Sequence, residues 1–265
     1  MRQKRIAAVV IAAGYGSLRT VDESSLPLPK ILEPVAGKPM VLRVLETVQK
    51  AGCSPWVVVV NRYSALSVSI VLNRAPTPYY VVQEDRTGAA DAALGAVPWL
   101  QEQEVDDFLA IYGDMPLWSP ETIERLLCAH RAAASTLSMV TVTRSSEYPE
   151  FDRYGRVIRD TEGNIRRIVE PAEATREELD AKSVNPSLWI WRREWFVDHA
   201  PHVARTPRAD GRASERYLPP LVERVYHCGE KIVEVPLSRT QEALGVNTLS
   251  ELHRVQEIAS QHTRS

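Results

Sequence analysis

The chain has 265 residues, 44% of them hydrophobic and 25% charged, and its formal net charge is -2 at pH 7. This is the composition of a soluble globular protein with a sizeable core, arranged as one large α/β domain or two small ones. Such a balance gives no global basic field to hold nucleic acid. No polybasic segment lies beside an apolar anchor, so neither nucleic acid nor a membrane is an expected partner.

The opening MRQKRIAAVVIAAG has the charge order of a signal peptide. Its apolar run, residues 6–13, is only eight residues long and is ended by Gly14 without a convincing cleavage site. A first strand buried on both faces accounts for it better. Pro39 then opens a helix in which Met40, Val41, Val44, Leu45 and Val48 share one stripe, with Gly52 as a C-terminal cap. Residues 56–60 and 79–82 read as further buried strands, and a helical pattern begins near Thr87. Residues 108–112 form a fourth strand, closed by Gly113-Asp114. Ser119-Pro120 caps another helix, with Ile123, Leu126 and Leu127 inward. Strand alternating with helix predicts a doubly wound, mostly parallel sheet in the Rossmann manner.

After residue 140 the character changes. Residues 156–159 and 165–169 read as a hairpin, and residues 183–191 as a tryptophan-rich strand. Arg205, Arg208, Arg212 and Arg216 fall in a loop with Pro and Gly, and His199 and His202 read as solvated members of it. A helix near 215–227, a strand at 232–235 and a closing helix from Leu249 follow. The expected organisation is a single domain with a core over residues 1–140, a small inserted β-rich segment over 141–247 and a C-terminal helix over 248–265. No internal repeat, and no hexapeptide period of a β-helix, is visible. The three cysteines, Cys53, Cys128 and Cys228, lack metal-ligand spacing and suit reduced thiols in a cytoplasmic protein.

In a doubly wound sheet, ligands bind beyond the carboxyl ends of the strands. The first strand runs into Gly14-x-Gly16 and the fourth into Asp114, so both arrive at one edge. The glycines let backbone N–H groups approach phosphate, Arg19 and Lys30 add positive charge, and Asp114 is placed to hold Mg²⁺ shared with substrate phosphates. Neither standard phosphate loop is present: Arg19 stands where the dinucleotide fingerprint needs glycine, and Gly37-Lys38 is followed by Pro39.

Four segments carry a fuller resemblance, in this order: VVIAAGYGS…LPLPKILEPVAGKPM, YGDMPLWSPETIERL, YGRVIRDTEGNIRRIVEPAEAT and EALGVNTLSEL. Together they resemble the sugar-1-phosphate nucleotidyltransferases. The nearest group is the uridylyltransferase domain of bifunctional N-acetylglucosamine-1-phosphate uridylyltransferases, here without a β-helical acetyltransferase. The resemblance implies Mg²⁺-dependent transfer of a nucleotidyl group from an NTP, UTP by preference, to N-acetylglucosamine 1-phosphate or a related sugar phosphate, with pyrophosphate leaving. It implies that Ala13, Gly14, Gly16 and Ser17 wrap the nucleotide and that Gln83, Thr87 and Gly88 read its base. Lys30 and Arg19 would serve the phosphates, and Asp114 and Asn247 the metal. Tyr112, Gly155, Glu170 and Asn185 would surround the sugar.

The sequence departs from that family at several places. Leu18 separates Ser17 from Arg19, the stretch before Lys30 is longer, Arg86 stands where glycine is usual, and Asn185 is followed by Pro186-Ser187 instead of Thr-Gly. Base, sugar, oligomeric state and the equivalence of Arg19 to the family's catalytic arginine stay open on these grounds. Two alternatives stand beside this reading: a nucleotidyltransferase of the molybdenum-cofactor type, whose GDMP segment is similar, and a nucleotide-binding regulatory domain without catalysis.

Overall fold

The structure, a computed structural model, describes residues 4–14, 18, 28–73, 79–85, 87–207 and 214–264. Its first half holds strands β1 (Ile6–Ala12), β2 (Pro34–Val35), β3 (Lys38–Pro39), β4 (Trp56–Asn61), β5 (Tyr80–Gln83) and β6 (Asp107–Tyr112). These alternate with helices α1 (Met40–Lys50), α2 (Ala65–Leu72), α3 (Ala89–Gly95), α4 (Val97–Glu102) and α5 (Pro120–Ala133). The second half adds strands β7 (Leu137–Thr143), β8 (Arg156–Arg159), β9 (Ile165–Val169), β10 (Ser183–Val184), β11 (Trp189–Arg192) and β12 (Ile232–Pro236). Its helices are α6 (Arg176–Leu179), α7 (Arg193–His199), α8 (Pro219–His227) and α9 (Leu249–Arg264).

Apart from the small β2–β3 hairpin, the strands form one sheet in the order β5-β4-β1-β6-β11-β7-β10-β8-β9, with β12 parallel to β7. From β5 to β6 all pairings are parallel. The antiparallel β11 lies between β6 and β7, so the second half of the sheet is mixed. The expected α/β doubly wound class holds, and the β-rich segment extends the same sheet through β10.

The continuous apolar run of β1 is explained by its place at the centre. Ile6, Ala8, Val10 and Ala12 pack into one core layer with Met40, Val44 and Leu45 of α1 and Ile123 and Leu126 of α5. Ala7, Val9 and Ile11 pack into the other, with Ala93, Phe196 and Leu221. Successive side chains of a strand face opposite ways, so a strand covered by helices on both faces must be apolar throughout.

Four readings of the sequence change. The strand expected as buried over 79–82 is β5, at the sheet edge, where Tyr79 and Tyr80 are exposed and residues 81–83 only half-covered. The expected strand 183–191 is broken: β10 and β11 meet β7 at successive registers, and residues 185–188 leave the ladder between them. The helix expected near 215 begins at Pro219, because residues 206 and 215 pair across an isolated bridge and Pro219-Pro220 suit a first helical turn. His199 closes α7, stacked on Trp195 at 4.1 Å with its Nδ1 2.8 Å from the Trp195 carbonyl; only His202 is exposed.

Candidate active site

The carboxyl ends of β5, β4, β1 and β6 deliver Gln83, Asn61, Ala13-Gly14 and Gly113-Asp114 to one edge, as the topology requires. Asn61 is 2% exposed and acts as a clamp: its Nδ2 donates to the Gly14 carbonyl (3.1 Å) while its Oδ1 accepts from the N–H groups of Tyr63 and Ser64. The turn after β1 is therefore held from the neighbouring strand. Gly16, Ser17 and Arg19, and with them most of the loop between Gly14 and Lys30, lie outside the described residues.

Lys30 follows Pro29 in a short 3-10 turn whose next residues, Ile31 and Leu32, are buried. Anchored so, its ammonium donates to Asp114 Oδ2 at 2.5 Å and to Asn247 Oδ1 at 2.7 Å. The loops carrying these two oxygens are tied by a backbone bond from Val246 N to the Asp114 carbonyl (3.0 Å). Asn247 is fixed in turn by Glu251. One carboxylate oxygen accepts from Asn247 N (2.7 Å) and Thr248 N (2.8 Å), while Thr248 Oγ1 accepts from Glu251 N. This is a capping box on α9, legible as Thr248-x-x-Glu251, and the sequence reading passed it over. Arg153 pairs with the same Glu251.

Two cavities meet at this cluster, sharing Tyr112 and Asp114 in their walls. The first, about 210 Å³, is lined by Ala13, Gly14, Lys30, Gln83 and Gly88, with Glu215 and Tyr217 from the chain before α8. The second, about 430 Å³, is lined by Gly155, Glu170, Asn185, Ser187, Asn247 and Arg153, among others. Of the expected nucleotide set, Ala13, Gly14, Gln83 and Gly88 line the first cavity; the expected sugar set lines the second, with Tyr112 facing both. Thr87 departs from its expected place: its hydroxyl accepts from Gln83 Nε2 (2.9 Å), which also donates to the Gly88 carbonyl (3.2 Å). That second acceptor fixes the amide orientation, because the flipped amide would set oxygen against oxygen.

Gly88 has φ +98°, and a Cβ there would lie 2.3 Å from the Arg216 carbonyl oxygen. The chain at Arg216 docks on this glycine, donating to the Thr87 carbonyl (2.7 Å) and accepting from Ala90 N (3.1 Å). Its guanidinium pairs with Asp91, as does Arg205 at 2.7 Å. Two members of the expected arginine loop are therefore structural ties that bring Glu215 and Tyr217 to the first cavity. Their role depends on contacts more than 100 residues apart, which no local pattern announces.

In the second cavity, the break between β10 and β11 is an Asx turn. Asn185, 4% exposed, accepts from Ser187 N through Oδ1 (3.0 Å), and Ser187 adopts φ +61° where the resembling family carries glycine. Tyr154 anchors the opposite wall by donating to the Ala243 carbonyl (2.7 Å) and accepting from Gly245 N (3.3 Å). Burial, then the charges of Asp114 and Glu170, push the Tyr112 phenol up, so it stays neutral and can donate. Desolvation on its cavity side lifts the Glu170 carboxyl above its ordinary value although the residue is exposed overall; Glu173 adds to the rise and Arg156 opposes it.

Two predictions arise here. A Cβ at Gly155 would sit 2.6 Å from Ile168 Cγ2 and 3.2 Å from Glu170 Oε1. Gly155→Ala is expected to cost about 1–3 kcal/mol of stability by overpacking, measured by denaturant unfolding, and to displace Glu170. An unchanged midpoint would show that this wall is soft.

The second concerns Glu170. Its folded pKa lies above its unfolded one, so its contribution to stability is complete below the ordinary carboxylate pKa and is lost as pH rises through the raised value. At neutral pH the ionised side chain is a small cost, screened because the residue is exposed to solvent. Glu170→Gln is expected to raise Tm at about pH 7 and to lose that advantage at about pH 4. An equal shift at both pH values would refute the assignment.

Residues 8–214 match the family described as MobA-like NTP transferase domain. Among curated proteins, the chain is 34% identical over 253 residues to bifunctional protein GlmU of Brevibacillus brevis, covering 94% of this chain and 50% of that one. It is 32% identical over 254 residues to the same-named protein of Cupriavidus metallidurans (94% and 51%), and 32% over 266 residues to that of Symbiobacterium thermophilum (98% and 53%). The chain thus spans about half the length of the curated relatives it matches. A solved structure of CMP:2-keto-3-deoxy-manno-octonic acid synthetase complexed with CTP superposes with TM-score 0.67 at 20% identity, over 97% of this chain and 99% of that one, which is a likeness of fold. The matched residues run from β1 through Lys30 and Asp114 and end two residues before Arg216, leaving Asn247 outside, and on that match the chain belongs to the MobA-like NTP transferase domain family and is a nucleotidyltransferase.

Proposed function

We propose that the protein joins a nucleoside triphosphate to a sugar 1-phosphate, releasing pyrophosphate, with UTP and N-acetylglucosamine 1-phosphate or a close relative as substrates. The observation that carries the reading is the pair of cavities meeting at Asp114, with a lysine ammonium already held between Asp114 and Asn247. The resemblance to the uridylyltransferase half of GlmU supports the choice of substrates.

A carboxylate oxygen and an amide oxygen converging on one cationic nitrogen are a hard-donor pair already serving a cation, and this suits Mg²⁺, which takes few protein ligands and shares the rest with phosphates. Among the described residues no cluster of three or more His, Cys, Asp or Glu offers a cage for another metal. When bound, Mg²⁺ would neutralise charge developing on the triphosphate. In this reading Asp114 and Asn247 hold the metal and Lys30 binds phosphate. Gly14 and its neighbours Ala13, Gly16 and Ser17 enclose the nucleotide, and Gln83 and Gly88, with Thr87 orienting the glutamine, face the base. Arg19 is a further cation on the triphosphate.

Tyr112, Gly155, Glu170 and Asn185 receive the sugar. A phosphate monoester has its second pKa near about 6, so the acceptor is already a dianion at neutral pH and needs no general base. In keeping with this, no histidine lines either cavity among the described residues. The protein's task is alignment and charge relief. No helix of the described residues is long and apolar enough to cross a membrane; we place the reaction in the cytoplasm, where nucleoside triphosphates are made.

The test is pyrophosphate release from a matrix of four nucleoside triphosphates against sugar 1-phosphates, with and without chelator, plus one arm with CTP and a 2-keto sugar acid. UTP with N-acetylglucosamine 1-phosphate is expected to lead, and chelator to silence it. Leadership by the CTP arm would replace the proposed substrates. Release without a divalent cation would remove the metal.

A further inference from the structure

Asn247 closes a short segment, residues 244–247, that belongs to no helix or strand of the described chain. No ladder or helical repeat fixes its place, so individual contacts do. Leu244 and Val246 are buried in the core layer beneath, and Val246 N is tied to the Asp114 carbonyl. The other ties come from the wall of the second cavity. At the start of the segment the Tyr154 hydroxyl donates to the Ala243 carbonyl (2.7 Å) and accepts from Gly245 N (3.3 Å). At its end Glu251 Oε2 accepts from Asn247 N (2.7 Å) and Thr248 N (2.8 Å). Glu251 Oε1 pairs with Arg153, the residue before Tyr154.

Capping α9 does not require all of this. A capping box needs one bond from the carboxyl-bearing side chain, to Thr248 N, and glutamine makes it as well as glutamate. The bond to Asn247 N is additional to the box. The group that makes it is a carboxylate only 6% exposed, which is unfavourable to bury unless it is paired and hydrogen-bonded. Arg153 supplies the pairing and, by taking Oε1, turns Oε2 toward Asn247. Charge-assisted bonds of this kind are shorter and stronger than neutral ones. Tyr154 and Glu251 therefore grip the segment at its two ends, and both do so through backbone groups.

We infer that Tyr154 and Glu251 are positioning residues for nucleotidyl transfer, holding residues 244–247 so that Asn247 Oδ1 stays converged with the Asp114 carboxylate, and that Arg153 orients Glu251. The inference rests on the reading of Asp114 and Asn247 as the metal pair. An amide oxygen brings no net charge to a cation, so its worth depends on being held in place. Groups that orient a metal ligand ordinarily account for about 10–100-fold in metal affinity.

The test is Mn²⁺ binding to the full chain with the α,β-methylene analogue of UTP, followed by water relaxation, which needs no turnover. Asp114→Ala is the reference for a lost ligand. Glu251→Ala and Tyr154→Phe are each expected to weaken Mn²⁺ binding by about 10–100-fold. The phenylalanine keeps the ring that lies 5.3 Å from Phe151. Two controls separate positioning from charge and from fraying of α9. Glu251→Gln loses the charge but keeps an oxygen for the same N–H groups, and should stay within about threefold of the parent. Thr248→Ala removes the other arm of the box and should lower the unfolding midpoint as Glu251→Ala does, yet keep the Mn²⁺ affinity. Parent-like affinity in Glu251→Ala or in Tyr154→Phe overturns the inference, as does equal weakening in Glu251→Gln or in Thr248→Ala. If Glu251→Ala does not fold, Tyr154→Phe decides. Parent-like affinity in Asp114→Ala would instead remove the metal reading itself, and the role of Tyr154 and Glu251 with it.

Discussion

Asp114→Ala is expected to lower turnover by at least about a thousandfold at saturating substrates and Mg²⁺, equivalent to about 4 kcal/mol of transition-state stabilisation. Asp114 is the only carboxylate among the three groups that meet at the junction of the cavities, the others being Lys30 and Asn247. Removing it takes away the single negative charge that would hold a divalent cation beside the triphosphate, and the amide oxygen of Asn247 alone cannot replace it. The fold should survive. The backbone tie from Val246 N goes to the Asp114 carbonyl, which the variant keeps, and the side chain retains 21% exposure.

Asp114→Asn separates shape from charge: it preserves the volume and should be nearly as inactive. Circular dichroism and unfolding midpoints close to the parent, with pyrophosphate release nearly gone in both variants, are the expected results. Rates within about tenfold of the parent at saturating metal and substrate would end the assignment of Asp114 as a metal ligand, since one lost catalytic electrostatic contact ordinarily costs more.

How far such a site can be read from sequence depends on the range of the interactions that build it. The edge carrying Gly14 and Asp114 was legible because a buried parallel strand is an unbroken apolar run, and topology then fixes where its end points. The capping box Thr248-x-x-Glu251 was equally local, and the alternating Leu137–Thr143 carried a strand pattern; neither was used. Helix α2 gave no such handle: ALSVSIVL is apolar on every side, and Leu66 and Ile70 remain exposed. At residues 185–188, β-rich composition reads as one strand, and it is the Asn185 side chain, capturing Ser187 N, that breaks it. The Asn185-Pro186 step was the available signal, because asparagine before proline favours turns. Asn61, Glu215 and Tyr217 were invisible for a different reason. Each reaches the site through a partner on another element, so only the folded chain brings them together.

Lys30→Ala should move two binding constants in opposite directions. The Lys30 ammonium donates to Asp114 and Asn247, the two oxygens proposed above for the metal. A divalent cation on the same two oxygens would be repelled by the ammonium, so the lysine and the metal compete there, and charged hydrogen bonds are worth about 1.5–3 kcal/mol each. Deleting the ammonium removes this competitor and its repulsion. Divalent-ion binding to the free protein should tighten by about tenfold, a factor that corresponds to about 1.4 kcal/mol. Paramagnetic Mn²⁺, followed by water relaxation, reports this without any turnover.

The released lysine has an obvious destination in the adjoining cavity, where the triphosphate is proposed to lie. In the variant that contact is lost, so binding of a non-hydrolysable triphosphate should weaken by at least about tenfold, and single-turnover rates should fall further if the charge also serves the transition state. Lys30→Met keeps most of the side-chain length and should reproduce both shifts, which guards against a packing artefact from alanine. If Mn²⁺ bound no more tightly while triphosphate affinity stayed at the parent value, Lys30 would be only a strut between its 3-10 turn and the end of β6.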